Sequence, residues 1–209
     1  METTPQRLVE AATQGFADHG IQTASLVEIT RQAGQRNRGA VHYHFGGREG
    51  LLVAVLEQHA GFLGQREREL LAIARERPDD DVASVVEAIV RPAVELVEQS
   101  TSGSNYLVIV AELTEQDPSK YSPELDAVLA RTGGYEVYAL LRERMPAMDD
   151  ELRAERFALM TSFVLGSVAR RVRLAESSGR PPLPTARFID NVVAMASAML
   201  TAPTPPLDE

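Results

Sequence analysis

Apolar residues recur along this chain at intervals of three and four, and alternation with a period of two is scarce. The pattern predicts helices nearly throughout, and an all-α fold. Leu8, Ala11, Ala12, Gly15 and Phe16 make one apolar stripe on a first helix from about Pro5 to His19, closed by Gly20. A second helix starts at Ser25, where Glu28 completes a capping-box pattern, and turns Leu26, Ile29 and Ala33 inward before Gly34. A third spans about Arg38 to Phe45, with Asn37 as its N-cap, Ala40, Val41 and Phe45 on its buried face, and Gly46-Gly47 as its break.

The rest of the chain reads the same way. A fourth helix begins near Arg48 with Leu51, Leu52, Val55 and Leu56 inward, and extends toward Arg75 with Arg66-Glu67-Arg68-Glu69 as a solvated, charge-mixed face. Pro78-Asp79-Asp80-Asp81 is a linker and cap before a helix at about 82–100. Thr101-Ser102-Gly103-Ser104 reads as a loop, Tyr106 to Glu115 as a buried helix, and Asp117-Pro118 as a break. A helix from about Pro123 to Met145 is interrupted at Gly133-Gly134. Two long helices, about 150–177 and 185–201, are separated by Ser178-Gly179-Arg180-Pro181-Pro182-Leu183-Pro184, which folds one back on the other. The Pro-rich tail, 202–209, is expected to be disordered.

Composition narrows the function classes. The absence of cysteine rules out disulfides, cysteine-ligated zinc and thiol catalysis. No apolar run has the ~18 residues of a membrane span, and the first residues lack the order of a secretion signal. A cytoplasmic protein without a membrane partner is expected. The net charge of −9 argues at first against nucleic acid, but its distribution does not. Residues 1–50 carry five arginines and five acids, so the whole deficit lies beyond them. Arg36, Arg38 and Arg48 have only Glu49 as a nearby acid, which makes a local basic face on an acidic chain.

That face coincides with a helix-turn-helix pattern. Two short helices meet at a glycine, and the second carries Arg38, His42, Tyr43 and His44, the arrangement that presents one helix to the DNA major groove. Arg38 suits a bidentate contact to guanine, and His42, four residues on, shares its face. Gly39 leaves room for close approach, while Tyr43 and His44 suit phosphates. Ser25, Asn37 and Arg48 lie at helix N-termini, which favour phosphate. His42 and His44 are two apart and point in different directions, which makes a poor metal site. There is no P-loop, no Gly-x-Ser-x-Gly and no His-Glu-x-x-His, so neither enzymatic activity nor a cofactor is expected.

Residues 5–60 resemble the DNA-binding domain of the tetracycline-repressor (TetR) family of bacterial regulators. The resemblance rests on Ala11-Ala12, Phe16, Gly20, Ser25-Leu26, Ile29, Ala33-Gly34, Gly39 through Phe45, and Arg48-Glu49-Gly50-Leu51-Leu52. It implies a helix-turn-helix domain at 1–50 and a larger helical ligand-binding and dimerisation domain at 51–201. It further implies a homodimer on a palindromic double-stranded operator, a repressor that a small molecule releases. By position it places Arg38, Gly39, His42, Tyr43 and His44 on the recognition helix and Arg48 where members contact phosphate. Two departures stand out: Gln35-Arg36-Asn37 makes the turn one residue longer than the family pattern, and position 42 is His where Tyr is common.

The last two helices carry apolar residues too widely spread for one stripe each, with small residues among them. Phe163, Gly166, Ala169, Val193, Ala194, Ser197 and Ala198 are therefore candidates for a four-helix dimer interface. Phe62, Tyr106, Ile109, Met145, Met160 and Phe163 are candidates for an apolar pocket suited to an apolar effector. The alternative is an all-α ligand-binding or adaptor protein whose N-terminal module does not read DNA.

Overall fold

Thr3 opens the first helix with a reciprocal cap: the Gln6 N–H donates to its Oγ1 (3.4 Å), and its own N–H donates to Gln6 Oε1 (2.8 Å). From there the computed structural model, which describes residues 3–99, 101–114, 116, 118–179 and 183–204, is predominantly helical. The helices are α1 (Thr4–His19), α2 (Leu26–Gln32), α3 (Ala40–Phe45), α4 (Arg48–Arg75), α5 (Val82–Gln99), α6 (Thr101–Thr114), α7 (Pro123–Ala130), α8 (Gly134–Arg144), α9 (Asp150–Ser178) and α10 (Thr185–Thr201). A 3-10 turn occupies Pro118–Lys120, and no strand occurs among the described residues. The all-α expectation holds.

The chain divides into two compact units. The first comprises the residues up to Gln65 and Leu96–Thr132. In it α1 packs against α2 and α6, around buried Leu8, Phe16, Ile29, Val41, Leu51 and Ile109. The second comprises Arg66–Glu95 and the residues from Gly133 onward. There α9 packs against α10, and Val86, Leu141, Met160, Val164, Val168, Val192 and Leu200 are buried. Residue 50 lies inside α4, and α6 shares the first unit with the N-terminal helices.

Three expectations need correction. Thr101–Ser104 is the first turn of α6 and not a loop. Gly103 makes this possible: a Cβ there would overlap the Leu96 carbonyl, so only glycine lets the backbones meet so closely. The charged run at 66–69 is not all solvated. Glu67 lies four residues from Leu63 and Leu71, on the inward stripe of α4, and is only 8% exposed. In the predicted capping box at Ser25, only one half forms. Ser25 Oγ accepts from the Glu28 N–H (3.3 Å), while the Glu28 carboxylate pairs with Arg31 (2.6 Å).

Buried arginines tie off helix ends in the second unit. Arg144 donates to the carbonyls of Ala74 (2.7 Å) and Asp81 (2.9 Å). Arg156 donates to those of Leu200 (3.1 Å) and Pro203 (3.0 Å), and Arg171 to that of Leu183 (2.8 Å) and to Thr185 Oγ1 (2.9 Å). Each forked guanidinium reaches main-chain carbonyls at helix ends or loops, and Arg171 adds a hydroxyl. Pro203 is thus held, whereas 205–209 of the expected disordered tail lie outside the described residues. So do 180–182 of the turn between α9 and α10.

Candidate nucleic-acid interface

The third helix is shorter than its sequence suggests. It begins at Ala40, with Gly39 as an N-cap that makes no side-chain bond, because Asn37 does something else. Asn37 Oδ1 accepts from the Gly39 N–H (2.9 Å), and the Asn37 carbonyl accepts from the Ala40 N–H (3.1 Å). Arg38 and Gly39 therefore form a tight turn ahead of α3 and are not its first residues. Ahead of the turn, the Gln35 N–H donates to the Thr30 carbonyl at the end of α2 (3.0 Å). Gly46, at φ 75°, ends the helix in a left-handed conformation.

Of the six residues of α3, only Ala40 and Val41 are buried, and Phe45 is partly covered. His42, Tyr43 and His44 are all exposed. Successive helical residues are about 100° apart, so these three sweep roughly 200° of the helix surface. α3 is held by one narrow face and is otherwise open, as a helix that enters a groove must be. Tyr43 is the extreme case at 83% exposed. A large aromatic ring left in water suggests a surface used by a partner. Its ring meets His44 edge-on at 4.9 Å, and His42 Nδ1 lies 3.4 Å from the Gly46 carbonyl.

Arg36, Asn37 and Arg38 are exposed beside α3. Arg31 is neutralised by Glu28, and the hydrogen bond from Arg31 holds the Glu28 carboxyl below its usual range. Arg38, four residues before His42, and Arg48, four after His44, are thus the basic residues nearest the exposed histidines in sequence. Ser25 is exposed but commits its hydroxyl to its own helix.

Arg48 is used internally in a way the sequence does not reveal. Its Nη1 donates to the carbonyl of Ile21 (2.7 Å), and the N–H of that residue donates to both carboxylate oxygens of Glu112 (3.0 and 2.9 Å). The backbone of Ile21 is thus gripped from α4 on one side and from α6 on the other. This clamp fixes the link between α1 and α2, and with it the base on which α3 is mounted. Glu112 is not among the residues singled out from sequence; it lies 91 positions from its partner and bonds to backbone. Ile21 is 1% exposed. Removing Glu112 leaves its N–H without a partner, at a cost of about 1–3 kcal/mol. Glu112→Ala is expected to lose stability in that range by urea unfolding, and Glu112→Gln, which keeps one acceptor oxygen, to lose less than half as much.

The other candidate residues fall as follows. Gly166, Ala194 and Ala198 are exposed, and Phe163, Ala169, Val193 and Ser197 are partly buried, all on α9 and α10. Leu159 and Met195 add exposed apolar surface at 52% and 49%. Phe62, Tyr106 and Ile109 belong to the first unit, and Met145, Met160 and Phe163 to the second. Neither unit brings the six together. No group of three or more histidine, aspartate or glutamate residues among the described residues is placed to hold a metal, and no helix there is long and apolar enough to cross a membrane.

Comparison with known proteins agrees with this geometry. Residues 8–55 match the family described as bacterial regulatory proteins, tetR family. Residues 87–199 match the one described as tetracyclin repressor-like, C-terminal domain. The HTH-type transcriptional regulator SrpR of Pseudomonas putida is 46% identical over 55 residues, covering 26% of this chain and 25% of SrpR. The HTH-type transcriptional dual regulator CecR of Shigella flexneri is 32% identical over 103 residues, covering 48% of this chain and 45% of CecR. The matches thus span between a quarter and less than half of these relatives. The crystal structure of the TetR family transcriptional regulator PfmR from Thermus thermophilus superposes with a TM-score of 0.53 at 20% identity, over 99% of this chain and 100% of that one, a likeness of fold.

Proposed function

The chain belongs to the tetR family of bacterial regulatory proteins, and we propose that it is a DNA-binding transcription regulator acting as a homodimer, a repressor that a small-molecule effector releases. The observation that carries this reading is the exposure of α3: His42, Tyr43 and His44 stand open beside an arginine-bearing turn. In this reading α3 enters the major groove, Arg38 and His42 read base edges, and Arg36, Asn37, Tyr43 and His44 contact backbone or phosphate. Arg48 gives one guanidinium donor to Ile21 and keeps others for a phosphate. The α9–α10 face, with its small and apolar exposed residues, pairs two copies, so that two recognition helices meet a palindrome. An effector bound among the helices favours the conformation that does not fit DNA.

Selection from random duplexes with the purified chain tests the reading. Enrichment of a palindrome is the expected result; no enrichment favours the adaptor reading. On the selected operator, Arg38→Ala is expected to weaken binding by about 1–3 kcal/mol and to relax preference at one position of each half-site. Fluorescence anisotropy across operator variants measures both effects. An unchanged affinity would remove Arg38 from the interface.

A further inference from the structure

Glu67 is a carboxylate with an oxygen left over. It is 8% exposed, and its Oε2 has no hydrogen-bond partner. It reaches toward Gly133, where the left-handed backbone (φ 90°) and missing side chain make room: a Cβ there would lie 2.8 Å from Oε2. Tyr138 lies close enough for the charge of Glu67 to help raise its hydroxyl pKa, after the larger effect of burial. That hydroxyl is hydrogen-bonded to Thr161 Oγ1, and its ring meets Phe157 edge-to-face at 5.2 Å. Tyr138 and Phe157 are partly exposed, so the aromatic pair is not sealed. In the same unit, Leu71, Val137, Leu141 and Met160 are fully buried.

A buried carboxylate without a donor is costly. Burial accordingly pushes the Glu67 carboxyl well above its ordinary range. Arg68 follows it along α4 but is exposed, and no ion pair joins the two. Elsewhere in this unit, the buried guanidiniums of Arg144, Arg156 and Arg171 each meet at least two oxygens. A bound metal would need several oxygen ligands, and no such cluster exists among the described residues.

We propose that Glu67, with Tyr138 and Phe157, forms the recognition site for an organic cation, an ammonium group on an apolar body. The ammonium supplies the donor that the unpartnered oxygen lacks and so holds the carboxyl in its charged form, and the aromatic rings receive the apolar body and favour its positive charge. This inference rests on the effector reading above and replaces a purely apolar effector with an amphiphilic cation.

4-Phenylbutylamine and 4-phenylbutan-1-ol share an apolar body and differ in the head group, and titration calorimetry on the full chain compares them. The amine is expected to bind at least tenfold tighter than the alcohol. Glu67→Gln, nearly isosteric, is expected to erase that preference while the circular dichroism stays native. Tyr138→Leu, which keeps the carboxylate, is expected to weaken the amine severalfold and the alcohol less, and it decides the matter if Glu67→Gln fails to fold. Equal binding of the two compounds, a preference that survives Glu67→Gln, or binding of neither would overturn the proposal. Release of operator DNA is read separately by anisotropy. An amine that binds through Glu67 but releases no DNA would leave the cation site standing and sink its role as the effector site.

Discussion

Alanine at position 50 will disable DNA binding although it adds only a methyl group. Gly50 lies in the first turn of α4, directly beneath the end of α3, and a Cβ there would overlap the backbone carbonyl oxygen of Phe45. The obstacle is main chain and cannot rotate away. To make room, α3 must shift relative to α4, and α3 carries the exposed histidines and Tyr43. Overpacking of this kind costs about 1–3 kcal/mol of stability. Operator affinity is expected to fall on the order of 100-fold, because each bidentate base contact is worth about 1–3 kcal/mol and a dimer loses the alignment of both helices. Gly61→Ala is the control. It lies in the same helix, with open space around its Cβ position. It should gain up to about 1 kcal/mol from helix propensity and leave operator binding unchanged. Urea unfolding and anisotropy on both variants separate a displaced α3 from a general effect of alanine in α4. Normal operator affinity in Gly50→Ala would show that α3 tolerates the shift.

Arginine at position 166 is expected to abolish the proposed dimer while leaving each subunit folded. Gly166 is exposed on α9, and nothing in its own chain lies within 4 Å of where a Cβ would sit. The substitution therefore meets no internal clash and improves helix propensity by up to about 1 kcal/mol. In a two-fold interface the new guanidinium is buried twice, without a partner, at several kcal/mol each. The dimer dissociation constant should rise by at least about 1000-fold. Sedimentation velocity at micromolar concentration should show a monomer with native circular dichroism, and operator binding should fall with it. A variant that remains dimeric would place the interface elsewhere than the α9–α10 face.

The sequence carries some of these features openly and hides others. The bounds of α9 and α10 follow from periodicity and their prolines, and the exposure of His42 and Tyr43 from the narrow apolar face of α3. What stays hidden depends on tertiary contact. Thr101–Ser104 has loop composition, and only the approach of α6 to Leu96 at Gly103 makes it helical. Asn37 is a good N-cap by type, yet its side chain closes a turn two residues on, so α3 starts later than composition suggests. Arg48 reads as a phosphate contact, and its internal use on Ile21 is invisible because the acceptor is a backbone carbonyl 27 residues away. Glu67 sits in a run of alternating charges that looks solvated until the spacing from Leu63 and Leu71 is weighed against its neighbours.

The placement of Arg38 in a turn has a consequence for how such a reader changes over evolutionary time. A residue on a recognition helix answers to two masters, base contact and helix stability. Arg38 is exposed, lies ahead of the helix, and caps nothing. Exchanging it for another polar residue costs the fold within about 0.5 kcal/mol, as for most exposed positions. On the proposed reading of Arg38 as a base contact, preference at one operator position can therefore drift by single substitutions without a compensating change in the core. Two gene copies that share this fold can part ways in the sites they recognise before they part in anything else.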